Sequence, residues 1–276
     1  TAGFPVDAAF HTRTEANQDR FWSSRLAGAN YLRSNATAAQ VYNAAWTFDS
    51  NTQYFNDYAA NTSYAYMFQR APGFMDVVLY TGKKPTVNTV SHTLTVIPEL
   101  IIVKSRSYAD EWPVYCATLG ASSYLTLNTT SSKSGSADYW NNATPTASVF
   151  TLGDRGEVNT STAAYIAYLF ATVAGVSKVG SYTGNAGYAV NVDCGFSAGA
   201  KFILIKRTNS SGDWYVYDTV RGIGSGNDPY FFLNDTAAQV TNTNYIASLS
   251  SGFTVTSSAP AGLNASSGTY IFLAIA

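Results

Sequence analysis

The acidic side chains are the first place to look for chemistry in this 276-residue chain. Cleavage of a glycosidic bond needs two carboxylates converging across the scissile linkage. The carboxylates here, Asp110, Glu111, Asp154, Glu157, Asp213 and Asp228, are sparse, sit mostly in turn-like stretches and form no recognisable pair. A serine triad would have to use His11 or His92, and neither stands beside a nucleophile motif. Two histidines and two cysteines at unrelated spacings make no zinc pattern. Gly222-Ile223-Gly224-Ser225-Gly226 lacks the Gly-Lys-Ser/Thr ending and following helix of a phosphate loop and reads as a hairpin loop. Asn227-Asp228 lacks the regular acidic spacing of a calcium loop. The expectation is a chain with no catalytic residue, no metal and no cofactor.

Aromatic residues offer a different chemistry. An exposed ring can stack on the C–H face of a sugar while neighbouring amides read its hydroxyls. Trp46, Tyr54, Phe55 and Tyr58 crowd one stretch, Tyr139 and Trp140 precede Asn141-Asn142 in a second, and Tyr245 follows Asn242-Thr243-Asn244 in a third. Trp46, Tyr54, Tyr58, Tyr139, Trp140 and Tyr245 are therefore the candidate ligand-binding residues, with packing between units or subunits as the competing use. Trp112 and Trp214 follow an acid (Glu111, Asp213) at one recurring slot, which assigns them to the core or a hairpin. Lys104 and Lys206 are expected to snorkel from strand ends, and Asp218, Arg221 and Asp213 to make structural ion pairs.

Composition narrows the partners. Charged residues are 12% of the chain, against about 25% in typical domains, and the net charge is −1. No basic patch points to nucleic acid or an anionic membrane surface, and no apolar run reaches membrane-spanning length. The chain starts at Thr1, which reads as a processed or fragment start. Cys116 and Cys194 do not occupy equivalent repeat positions and are expected to be free and partly buried. Eight Asn-x-Ser/Thr triplets, at Asn35, Asn61, Asn128, Asn142, Asn159, Asn209, Asn234 and Asn264, read as polar turns.

The elements that must carry these residues recur. Ile101–Lys104 matches Ile203–Lys206, Trp112–Tyr115 matches Trp214–Tyr217 and Tyr80-Thr81-Gly82 matches Tyr182-Thr183-Gly184, all at one offset of 102. A third copy shows through Asn35–Val41 and Asn234–Val240, with His11 in the slot of Lys104 and Lys206. Short apolar runs rich in β-formers, such as Lys201–Arg207 and Trp214–Thr219, alternate with polar turns such as Asn209–Asp213. Trp46–Phe48 reads as a strand of the first copy and Thr236–Val240 as a short helical turn. The reading is all-β: three tandem antiparallel β-sandwich repeats, jelly-roll or lectin-like, of about 100 residues each. The boundaries fall at 1–72, 73–175 and 176–276. The first copy lacks the opening Tyr-Thr-Gly strand, and a preceding segment or a neighbouring subunit is expected to cover that sheet edge.

The ordered motifs Phe202–Thr208, Asp213–Thr219, Arg221-Gly222, Leu233-Asn234, Gly252–Val255, Asn264 and Ser267–Ile271 resemble a repeated domain of unknown function found in structural and tail-fibre-like proteins of tailed, often marine, bacteriophages. Residues 176–276 carry the resemblance best, 76–171 less, and 1–70 least. The resemblance implies kinship with concanavalin A-like and laminin G-like sandwiches, and a place on the exterior of the virion. It implies no catalytic residue. The expected function is a non-enzymatic tail fibre or appendage protein that attaches to the host surface. The partners would be other virion proteins, further copies of the chain, a trimer above all, and a host surface polysaccharide. The alternative is a capsid-decorating or tail-assembly protein without an external ligand.

Overall fold

A computed structural model describes residues 2–48, 63–224 and 226–276. The fold is all-β, made of several antiparallel sheets, none closed into a barrel. The first segment holds β1 (Ala8–Arg13), β2 (Phe21–Ser24), β3 (Asn30–Arg33), β4 (Val41–Tyr42) and β5 (Ser63–Phe68), in the order β4-β3-β2-β1-β5. The second holds β6 (Met75–Thr81), β7 (Asn88–Ser91), β8 (Leu100–Ser105), β9 (Pro113–Cys116), β10 (Ser123–Thr126) and β11 (Ser134–Gly135). It continues with α1 (Ala137–Trp140), β12 (Val149–Leu152), α2 (Gly156–Asn159) and β13 (Ala164–Phe170). The third holds β14 (Ser177–Thr183), β15 (Val190–Asp193), β16 (Phe202–Arg207), β17 (Trp214–Asp218), β18 (Tyr230–Phe232), β19 (Ile246–Leu249), β20 (Gly252–Val255), α3 (Ala261–Asn264) and β21 (Thr269–Ile275). The large sheets run β11-β10-β9-β8-β13-β6 and β14-β21-β16-β17-β18, and the small ones β12-β7 and β15-β20-β19.

Alternation explains the layers. Successive residues of a strand face opposite sides of its sheet. One face of each large sheet turns onto a shared core that includes Phe10, Trp22 and Phe68 of the first, Ile102, Trp112 and Tyr168 of the second, and Leu204, Trp214 and Phe231 of the third. Rings meet across the sheets there, with centroids 4.9 Å apart for Trp22 and Tyr168 and 6.1 Å for Phe10 and Phe202. The opposite faces have their own cores. β12-β7 covers Ile101, Val103 and Tyr165, and β15-β20-β19 covers Ile203, Ile205 and Tyr270. Both cysteines are buried and free, as expected.

The Tyr-Thr-Gly motif has a purpose at each position. Tyr80 and Tyr182 stack on Tyr165 and Tyr270 at 5.0 and 4.7 Å. Their hydroxyls donate to the carbonyls of Val158 and Leu263, both at 2.8 Å. Gly82 and Gly184 let the chain pass so close to the ends of α2 and α3 that a Cβ would lie 2.0 Å from the Thr160 carbonyl oxygen or 2.4 Å from that of Ala265. Asn159 and Asn264 complete the joint. Each buried amide donates to two carbonyls (Thr86 and Gly153; Tyr188 and Thr256) and accepts one backbone N–H, from Lys83 or Asn185. Two of the Asn-x-Ser/Thr triplets are thus internal backbone clamps.

Two expected elements differ. Among the described residues Trp46–Phe48 holds a single β-bridge at Thr47 and no continuous strand, and Thr236–Val240 is an extended arm, not a helical turn, because its backbone groups are spent on a neighbouring segment.

Candidate functional site

The recurring slots converge on the junctions between the three segments. Register fixes the equivalences. Phe68, Phe170 and Ile275 stand opposite Ala8, Leu100 and Phe202, so Thr12, Lys104 and Lys206 share one position. His11 is therefore not the counterpart of the lysines. It lies one residue out of phase, on the other face, at a centroid distance of 4.7 Å from Trp46. Burial lowers its pKa to about 3.

The next slot holds Arg20, Trp112 and Trp214. Their backbone N–H groups donate to the side chains of Asn35, Asn128 and Asn234 at 2.7, 3.0 and 2.7 Å. Each side chain then reaches a different segment. Trp214 Nε1 donates to Thr126 O at 3.0 Å, and Trp112 Nε1 to Arg33 O and Ala36 O at 3.0 and 3.1 Å. Arg20 donates to the carbonyls of Phe232 and Ala237. The extended arm after each asparagine returns the contact. Gln40 N donates to Arg106 O at 3.1 Å, Lys133 N to Thr208 O at 2.9 Å and Gln239 N to Thr14 O at 2.8 Å. The first segment thus holds the second, the second the third, and the third the first.

Lys104 and Lys206 are fully buried at these junctions rather than snorkelling. Lys104 Nζ donates to the carbonyls of Thr37, Tyr108 and Asp110 at 2.8, 3.2 and 2.9 Å. Lys206 Nζ donates to Thr130 O at 3.0 Å and to Gly212 O. Burial lowers both pKa values to about 8. Lys206→Met leaves those carbonyls short of a donor and is expected to cost about 1–3 kcal/mol at pH 7. The unfolded lysine keeps its proton to about pH 10.5, so the native protein gains stability from this group between pH 8 and 10 and the variant does not. Urea titrations of both proteins at pH 7 and 9.5 should show the gap widening with pH; a constant gap would refute this account.

The aromatic candidates lie elsewhere. Trp46 is buried on the outer face of the first sheet with Phe21 and Tyr31. Tyr139 is stacked on Tyr124 at 3.9 Å and donates to Glu157, and Trp140 donates to Ser123 O at 3.1 Å; both rings are buried. These three residues are not the exposed platforms their neighbours suggested. Rings beside Asn and Thr look alike in sequence whether a sheet covers them or water does. Tyr245 is half-buried, 6.1 Å from Tyr230. Tyr54 and Tyr58 lie outside the described residues. Among the described residues three other tyrosines are exposed: Tyr42, Tyr108 and Tyr188.

Four of the acidic side chains named from the sequence serve the fold. Asp228 accepts the N–H groups of Tyr245 and Ile246, Asp213 accepts from Asn234, Arg155 holds Glu157, and Arg221 bonds Asp218 at 2.5 Å. Asp213 takes no part in that last pair. Among the described residues no group of three His, Cys, Asp or Glu side chains is placed to hold a metal ion.

Sequence reasoning missed Arg20, Asn35, Asn128 and Asn234 as one system. Their signal was the Asn-x-Thr triplet, present in all three segments but displaced from the 102-residue offset by loops of unequal length.

A profile of the domain of unknown function DUF7483 matches residues 10–276. The chain belongs to this family. The match runs through all three segments as one domain, in keeping with the shared core. No curated protein matches the chain.

Proposed function

We propose that the chain is a non-enzymatic structural protein of a bacteriophage particle, in which three tandem β-sandwich repeats lock into one rigid block. In this reading it stands on the virion exterior, in a tail fibre, another appendage or a decorating layer. The observation that carries the structural part is the cyclic set of bonds from Gln40 to Arg106, Lys133 to Thr208 and Gln239 to Thr14. Such closure commits the recurring polar groups to rigidity and leaves their slots without a free functional group. The virion setting rests on the sequence resemblance of residues 176–276.

Host attachment is the second reading, favoured by the exposed rings of Tyr42 and Tyr188. Weak contacts repeated over many copies on a particle would supply avidity. The threefold order anticipated between chains is, on this reading, already present within one chain, so light scattering should return a single-chain mass of 29.5 kDa. Immunogold labelling of the encoding phage tests the setting: particles without label would sink it. Purified protein that blocks adsorption to host cells, with the block lost in Tyr42→Ala/Tyr188→Ala, would select attachment over a purely structural role.

A further inference from the structure

β5 lacks a neighbour that its counterparts possess. The carbonyls of Phe68, Phe170 and Ile275 accept the N–H groups of Asp7, Glu99 and Lys201 at 2.9, 2.9 and 2.7 Å, which places β5, β13 and β21 in one register. β13 lies between β8 and β6, and β21 between β16 and β14. β5 pairs with β1 and stands at the end of its sheet, with no strand on its other side among the described residues. On that other side, Ala171 N donates to Phe74 O at 3.0 Å and Ala276 N to Val176 O at 2.9 Å. The corresponding amide is that of Gln69, and the alternation of an antiparallel ladder turns the backbone groups of Ser63, Ala65 and Met67 the same way.

Two features follow the same track. An apolar cleft of about 410 Å³ opens beside β5, lined by Phe4, Phe68 and Phe202 and bordered by Phe74 and Val176. Phe74 and Val176 are the residues that immediately precede β6 and β14. The cleft therefore opens where the third residue of this kind would stand, next to the positions where β6 seats Met75 and Val77, and β14 seats Val179, in the shared core. Val220, 85% exposed, is the second feature. Its counterparts flank the sibling strands: β6 packs against the turn Arg25–Ala27 that contains Leu26, and Thr118 shares a hollow with Lys178 and Val179 of β14.

We propose that β5 is an acceptor edge for one further antiparallel strand, donated by an extended segment of a protein partner. The segment would carry an apolar residue just before the strand and small or aliphatic residues at its first and third positions, as in Phe74–Val77 and Val176–Val179. Main-chain hydrogen bonds to Ser63, Ala65, Met67 and Gln69 supply affinity, and the cleft reads the apolar side chains. An uncovered apolar edge is otherwise a liability for uncontrolled pairing.

The test adds synthetic peptides spanning residues 72–83 and 174–185 to the intact protein and follows amide exchange together with fluorescence anisotropy of labelled peptide. The expected result is binding with a Kd below about 1 mM, slowed exchange at those four amides and no binding of scrambled peptides. Two folded variants should weaken binding about tenfold, a difference of about 1.4 kcal/mol: Gln69→Pro, which removes an outward donor, and Val220→Glu, which puts a charge on the track. Absence of binding by either peptide overturns the proposal. So does slow exchange at the four amides in the free protein, which would show the edge already covered by its own chain. Protection that rises with protein concentration alone would replace the partner by a second copy and overturn it as well.

Discussion

Trp214→Ala is expected to destabilise the protein by about 3–5 kcal/mol and to loosen a strand end 88 residues away in sequence. The indole is buried in the shared core, and its Nε1–H is bonded to the Thr126 carbonyl of the second segment. Truncation leaves a cavity where three sheets meet and an unsatisfied carbonyl across the junction. Trp214→Phe retains most of the ring volume and should cost nearer 1–2 kcal/mol, mostly for that carbonyl. Hydrogen exchange separates this account from a local one. Amides of Thr126–Ser134 should exchange faster in Trp214→Ala, and exchange confined to the surroundings of residue 214 would contradict the clasp. Closure also bears on cooperativity. Open arrays of repeats unravel from their ends, because each repeat contacts only its neighbours. Here Gln239 and Arg20 tie the last described segment to the first. The wild type should unfold in urea in one transition that is the same by tyrosine fluorescence and by circular dichroism.

The strands were legible and the clasp was not, for physical reasons. Lys201–Arg207 and Tyr270–Ile275 are apolar on both faces because each face meets a different core, and that doubling reads as an uninterrupted run of β-formers. Tyr-Thr-Gly was visible as a repeat because two copies must meet the same carbonyls. The arm Thr236–Val240 read as helical because alanine and glutamine are good helix formers, but its Gln239 N–H is bonded to Thr14 of another segment, a non-local partner that no local propensity encodes. Arg20 was hidden for a related reason. It does with a guanidinium what Trp112 and Trp214 do with an indole, so residue identity changes while the carbonyl-seeking geometry persists. Three of the six candidate rings are buried: Trp46 covers the outer face of the first sheet, and Tyr139 and Trp140 cap the outer core of the second.

Alkaline pH is expected to unfold the protein steeply, beginning near pH 10. Burial raises the pKa values of Tyr66, Tyr80, Tyr182 and Tyr217 well above 10, so each keeps its proton in the fold after the unfolded chain has lost it. Their contribution is complete below about pH 10 and is lost as pH rises beyond it, at roughly 1.4 kcal/mol per group per pH unit. Four groups give a slope of roughly 5 kcal/mol per pH unit. Lys104 and Lys206 act in the opposite sense. With folded pKa values of about 8, they bind fewer protons in the fold than in the unfolded chain up to about pH 10.5 and so add stability as pH rises from 8. On the same arithmetic the two lysines add roughly 3 kcal/mol per pH unit between pH 8 and 10, so stability should climb to about pH 10 and then fall. Tyr217 isolates the cause. Its buried hydroxyl makes no hydrogen bond among the described residues, so Tyr217→Phe removes an unsatisfied polar group at little packing cost. That variant should be as stable as the wild type or more so at pH 7, and its stability should decline above pH 10 with a slope shallower by one proton. A slope unchanged by Tyr217→Phe would locate the alkaline transition in other groups.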